Sequence, residues 1–195
     1  MLPRQIDLLL KEEQGVAHLR QFAIVGQLPE FAFPGSYILE LYLLPKGPEQ
    51  TPVHVINTIS VLGRGDPERC AACRDRRAAG SYVRGYMDLE PRIILYLLSQ
   101  LDADQRVAIT ELNHLVALIQ ESFGMRLVKP DGTKLAACGP HSGTRNAPMD
   151  EAKVPKLTLC SHVVNFKPED ATSPVKWDQC VTYGTYREAD GWNMF

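Results

Sequence analysis

Two cysteines two residues apart, Cys70-Ala71-Ala72-Cys73, are the sharpest chemical signal in the sequence. That gap lets a short turn of chain present both sulfurs to one metal ion. Arg69 and Arg74 flank the pair and help hold thiolates. Cys138-Gly139-Pro140-His141 repeats the spacing. Cys70, Cys73, Cys138 and His141 together would make a closed site of three sulfurs and one nitrogen, a set that suits zinc. Cys160-Ser161-His162 competes, because alternate residues of a strand share a face, and His54 is a further source of the nitrogen. Two other chemistries fit a lone pair of this kind. One is a disulfide or redox couple, and the other is copper(I), for which thiolates are soft ligands. Cys160 and Cys180 read as small buried hydrophobes.

The elements around these residues follow from periodicity. Residues 5–20 carry Ile6, Leu9, Leu10 and Val16 at helix-like spacing, which predicts a helical arm over 1–20. Gln21–Leu28, Ser36–Leu44, Val53–Leu62, Tyr82–Leu89, Met125–Val128 and Leu157–Phe166 read as strands. On the third of these, Val53, Val55, Ile59 and Val61 favour one face and His54 points to the other. Arg74–Ala79, Pro91–Leu101 and Asp102–Ser122 read as helices, the last with Asp102 as its cap. His18 and His114 fall on predicted helices, as surface or packing residues. Pro130-Asp131-Gly132 is a turn, and residues 129–154, rich in Gly, Pro, Ser, Thr and Asn, are expected to form one long loop. The pattern predicts a mostly β, α+β fold: a single domain over 1–195, built as an antiparallel sandwich with two or three helices.

Composition narrows the function classes. The chain has 195 residues, 45% hydrophobic and 23% charged, with a formal net charge of −2. That is enough to bury a core, and it gives no electrostatic case for nucleic acid. No stretch reaches the roughly 18 apolar residues of a membrane span. The start is too quickly charged for a secretory signal, so a cytoplasmic location is expected, and five irregularly spaced cysteines agree with it. Glu40, Asp88, Glu90 and Glu111 stand as singletons, not as paired carboxylates. Phosphate loops and serine elbows are absent from the sequence. Tyr37, His54 and Trp177, with Trp192 beside them in the count of aromatics, are the residues expected to line a pocket for a flat substrate.

Several segments, in order, resemble the C-terminal sandwich of fungal tyrosinases and hemocyanin-like proteins. They are Phe33–Leu41 (FPGSYILEL), Ser60–Asp66, Cys70–Arg74, Ala79–Ser81, Leu127–Gly132 and Val154–Leu159, and the resemblance covers about residues 20–166. It implies that sandwich fold. It does not extend to the di-copper centre, which needs a helical bundle of histidines. This chain has five histidines, none in an H-x-x-x-H pair. The resemblance then implies one of two functions. The first is a zinc-dependent, redox-neutral enzyme like the fungal cyclopenases, contracting the ring of cyclopenin to viridicatin, with zinc acting on a substrate oxygen. The second is a non-catalytic shielding or copper-delivery domain. The expected partners are a small-molecule substrate and either a second copy of the chain or a tyrosinase-type oxidase.

Overall fold

Gln14 and Gly15 both take positive φ, 53° and 74°, and this two-residue turn folds β1 (Leu10–Glu13) back onto β2 (Val16–Pro29). Turns of that hand match the twist of an antiparallel pair. The expected helical arm is therefore mostly a hairpin. Helix is confined to α1 (Pro3–Asp7), and His18 lies on a strand. Of the apolar residues that suggested a helix, Leu9 is buried just before β1, Leu10 is exposed on it, and β2 buries Ala17 and Phe22 instead. The computed structural model describes residues 3–44, 54–63, 70–138, 147–170, 172–186 and 191–195.

The remaining elements are β3 (Tyr37–Leu43), β4 (Val55–Val61), α2 (Ala71–Ala78), β5 (Tyr82–Leu89), α3 (Pro91–Ser99), α4 (Ala103–Ala108), α5 (Leu112–Ser122), β6 (Phe123–Val128), β7 (Lys134–Cys138), β8 (Lys156–Phe166), β9 (Lys176–Thr185) and β10 (Trp192–Met194). One five-stranded sheet runs β1-β2-β8-β9, with β5 also pairing β2. The other runs β10-β7-β6-β3-β4, and its neighbouring strands all pair antiparallel. The mostly β, antiparallel fold class stands as expected, with more and shorter helices. None of the helices described is long and apolar enough to cross a membrane.

Two expected elements differ. The span 129–154 is interrupted by β7, a strand of small buried residues (Ala136, Ala137, Cys138) between β6 and β10. The turn that joins it to β6 has Gly132 at φ 85°, with the Gly132 amide bonded to the Lys129 carbonyl. The helix expected over 102–122 is split. Asp102 caps α4 in a full capping box with Gln105, but the chain leaves helical geometry at Ile109 (ψ 77°). Val107, Ile109 and Thr110 are β-branched and weak in a helix. The Gln5 amide donates to the carbonyls of Arg106 and Ile109 at the break.

Contacts gather the chain into two compact units, each made of three separated segments. The first comprises Met1–Ile24, Asp88–Ser122 and Leu159–Gly184; the second comprises Val25–Met87, Phe123–Thr158 and Thr185–Phe195. In the first, α3 and α5 pack on each other. They bury Ile94, Leu97 and Leu98 on one and Leu115, Val116 and Ile119 on the other, and Phe22 and Leu159 are buried on the strands. In the second, alternate residues of β3, β4 and β6 (Leu39, Leu41, Ile59, Val61, Met125, Leu127) are buried. There Ile59 sits against Gly85 of β5 and Gly26 of β2. A methyl on Gly85 would stand 2.5 Å from Ile59 Cγ2, and one on Gly26 2.9 Å from its Cδ1. Substituting Gly85→Ala is expected to cost about 1–3 kcal/mol through overpacking, read as a lower midpoint in chemical denaturation. An unchanged midpoint would mean that the strands yield around the added methyl.

Candidate metal-binding thiol pair

Cys70 is the N-cap of α2, in extended geometry (φ −120°, ψ 114°), and Cys73 lies in the first turn. The Cys73 amide is 3.0 Å from the Cys70 carbonyl and 3.3 Å from the Cys70 Sγ. N-cap and third helical residue meet at one corner of a helix, so both side chains belong to the same turn. Cys70 is half-buried and Cys73 is 6% exposed. Alanines at 71, 72 and 78 make the segment a good helix former. Gly80, at φ 63°, ends it in the left-handed conformation that suits a helix terminus. Arg76 and Arg77 lie in the last turn, where the carbonyl end of a helix favours cations.

A buried carboxylate holds this helix in place. Glu30 is 6% exposed. Its Oε2 accepts from Ser81 Oγ at 2.8 Å and pairs with Arg76 Nη2 at 2.9 Å, while its own amide donates to the Ser81 carbonyl. Three bonds thus tie the end of β2 to both α2 and the start of β5. Sequence reasoning missed Glu30, since nothing in the spacing of one acidic residue after Pro29 points to partners so far along the chain.

The other expected site residues are dispersed. Cys138 is buried at the end of β7, paired in register with Met125 and Trp192. Its sulfur fills the space where a Cβ on Gly191 would stand, 3.0 Å away. His141 lies outside the described residues. Among those described, no group of three or more His, Cys, Asp or Glu is placed to hold a metal; the pair that is brought together is Cys70 and Cys73. Cys160 is buried, with its thiol 3.5 Å from the Ala23 carbonyl. Burial, and then the charge of Cys180, push that thiol up. Cys180 itself is exposed, not the buried hydrophobe expected, because β9 ends its sheet.

Tyr37 is fully buried. Its hydroxyl donates to the Pro29 carbonyl at 2.5 Å, and burial pushes the phenol well up. Its ring meets Phe33 edge-on at 5.3 Å, so it is a core residue and offers no open face to a substrate. The apolar, aromatic strand around it draws it inward. His54 is exposed at the start of β4, its carbonyl accepting from Leu43. Trp177 is 63% exposed on β9, its ring 5.1 Å from that of His162 in an edge contact. Trp192 is fully buried, with an indole N–H that finds no acceptor among the described residues. Near His162, Asp88 carries a carboxyl raised above its ordinary 3.8 by burial and then by Glu90, with His162 acting the other way. Glu40, a singleton in sequence, lies opposite Arg126 in the β3–β6 register and bonds its Nε at 2.5 Å.

No protein-family model matches the chain, and no curated protein matches it in sequence. Two solved structures are similar in chain path. One is latent and active mushroom tyrosinase crystallised together by a hexatungstotellurate(VI), with 15% identity over 87% of this chain and a TM-score of 0.48. The other is recombinant mushroom tyrosinase, with 12% identity over 90% of this chain and a TM-score of 0.45. The chain spans 27% of the length of each tyrosinase chain. A likeness of that degree carries no conclusion about family or activity, and the fold class stands on the two sheets themselves.

Two outcomes follow from these carboxylates. Glu30→Gln should lower stability by about 1–3 kcal/mol and speed alkylation of Cys73; unchanged protection of that thiol would mean that other contacts hold α2. Because the folded-state value of Asp88 is raised, its charge costs stability at neutral pH, and that cost vanishes as pH falls below 3.8, where both states are protonated. Asp88→Asn should therefore raise the melting temperature near pH 7 and not near pH 3. An equal shift at both pH values would refute the electrostatic origin.

Proposed function

We propose that this chain is a non-catalytic accessory domain for a tyrosinase-type oxidase, and that it holds copper(I) between Cys70 and Cys73. The observation that carries the reading is the placement of two cysteines at the N-cap and first turn of one helix, fixed by a buried carboxylate. Soft thiolates select copper(I), which needs few ligands, whereas zinc seeks four. The amide that points at the Cys70 sulfur, at the N-terminal end of α2, favours negative charge there. The segments that resemble tyrosinase C-terminal sequences support the choice of partner: Phe33–Leu41, Ser60–Asp66, Cys70–Arg74 and the later pieces.

The second reading is the zinc-dependent, cyclopenase-like ring contraction of cyclopenin to viridicatin. Trp177, exposed beside His162, favours it, since an open indole can stack on a flat bicyclic compound. It also asks for Cys138 and His141 around the same ion as Cys70 and Cys73.

Metal titration of the reduced protein against a competing copper(I) chelator tests both. About one copper per chain is expected, with affinity lowered at least about tenfold by Cys70→Ser or Cys73→Ser and untouched by Cys138→Ser. Serine keeps the N-cap at position 70, so loss of copper there reports the sulfur and not the helix. Copper binding unchanged in both variants would remove this reading. Zinc bound in its place, and lost in Cys138→Ser and His141→Ala, would move the assignment to the four-ligand site and the enzyme.

A further inference from the structure

The hairpin of the first unit builds a second, unrelated site. Lys11 pairs in register with His18, and Glu13 with Val16. Alternation along β1 and β2 then sets Lys11, Glu13, His18 and Arg20 on one sheet face. Residues of β8 meet them there. The Asn165 Oδ1 accepts from His18 Nδ1 at 2.7 Å, and Arg20 Nη1 donates to Ser161 Oγ at 3.0 Å. That hydroxyl lies 2.7 Å from the hydroxyl of Tyr183. The chain after α1 closes the other side, leaving a cleft of about 320 Å³ walled by Leu8, Leu9 and Val163 on its apolar part.

The lining holds two cations, Lys11 and Arg20, and two carboxylates, Asp7 and Glu13, but among the described residues no carboxylate is paired with Arg20. Lys11 and Glu13 pair with each other. Arg20 is half-buried, and its side-chain partner among the described residues is a neutral hydroxyl. A guanidinium carries five N–H donors in a planar fork, so most of them remain for another acceptor. A carboxylate matches that fork with two parallel bonds. Asp7, exposed at the rim, and Glu13 both disfavour a dianion such as phosphate. The apolar wall favours a hydrocarbon body on the ligand. We propose that the cleft binds a small monocarboxylate with an apolar body, its carboxylate on the Arg20 fork and its chain against Leu9 and Val163. Ser161 and Tyr183 hold the guanidinium in position, and Asn165 fixes the His18 ring beside it. The site rests neither on the thiol pair nor on any metal.

Amide and arginine side-chain NMR spectra of the full chain, titrated with sodium hexanoate, test this. Saturable shifts are expected at Arg20 Nε–H and along residues 18–20 and 161–165, with a dissociation constant of about a millimolar or tighter. The neutral isostere 1-hexanol and inorganic phosphate should bind at least about tenfold more weakly, and Arg20→Lys should weaken hexanoate about tenfold by losing the fork. Ser161 and Tyr183 keep their mutual bond in that variant, and its unchanged amide spectrum without ligand is the control for folding. Equal binding of hexanol, shifts that never saturate, or full retention in Arg20→Lys would each overturn the proposal.

Discussion

Ile59 occupies a gap between layers that exists because Gly26 and Gly85 carry no side chain, and much of the second unit follows from that close approach. β2 and β5 are drawn against β4, so the ends of these two strands have fixed positions. Glu30 closes β2 and Ser81 opens β5, and they meet there through two hydrogen bonds. α2 runs directly into β5 through Gly80, so its own place is set by the same pair and by Arg76. The thiols at the start of α2 therefore owe their position to an aliphatic contact some distance away in sequence. A site built on regular elements in this way is held more firmly than one carried on a loop.

Buried charge in the second unit is handled by pairing, in two places and in two ways. Glu30 is almost sealed from water and is satisfied by one cation and one hydroxyl. Glu40 and Arg126 are partly exposed and directly opposite each other on neighbouring strands, with the guanidinium also 5.6 Å from the centre of the Tyr42 ring. That ring lies across Gly124, where any Cβ would stand 2.5 Å from it. Removing Arg76 leaves the buried Glu30 carboxylate without its cation, which is the costly case, whereas Arg76 is 47% exposed and water can serve it if Glu30 is lost. The second pair adds register specificity more than stability.

What the sequence made legible was whatever local chemistry dictates. The β3, β5 and β8 strands, the Asp102 cap and the Pro130-Asp131-Gly132 turn are written in short windows, and they stand where expected. The helix expected over Arg74–Ala79 exists but begins three residues earlier, at Ala71, and so takes in Cys73 with Cys70 as its cap. The N-terminal hairpin was not legible: glutamine is not a residue that announces a positive φ, and Ile6, Leu9, Leu10 and Val16 match a helical spacing although the hairpin register puts Leu10 and Val16 on opposite faces. β7 was hidden because Ala-Ala-Cys has little intrinsic strand preference and is a strand only by virtue of its neighbours. Tyr37 looked available as a binding surface and is a core residue, since burial on an aromatic strand depends on the opposing layer. Glu30 and Arg20 could not be picked out at all; their partners are brought near only by the fold.

Among the described residues β9 ends the order of its sheet, which leaves one edge of this strand without a neighbour there, with Trp177 and Val181 exposed along it. Such an edge is a template on which a foreign extended segment can lay itself down. Lys176 and Asp178 alternate with the apolar residues along this strand, and a charge must be stripped of water whenever another strand is added there. Charges so placed act as gatekeepers, discouraging self-propagating stacks of this chain along that edge.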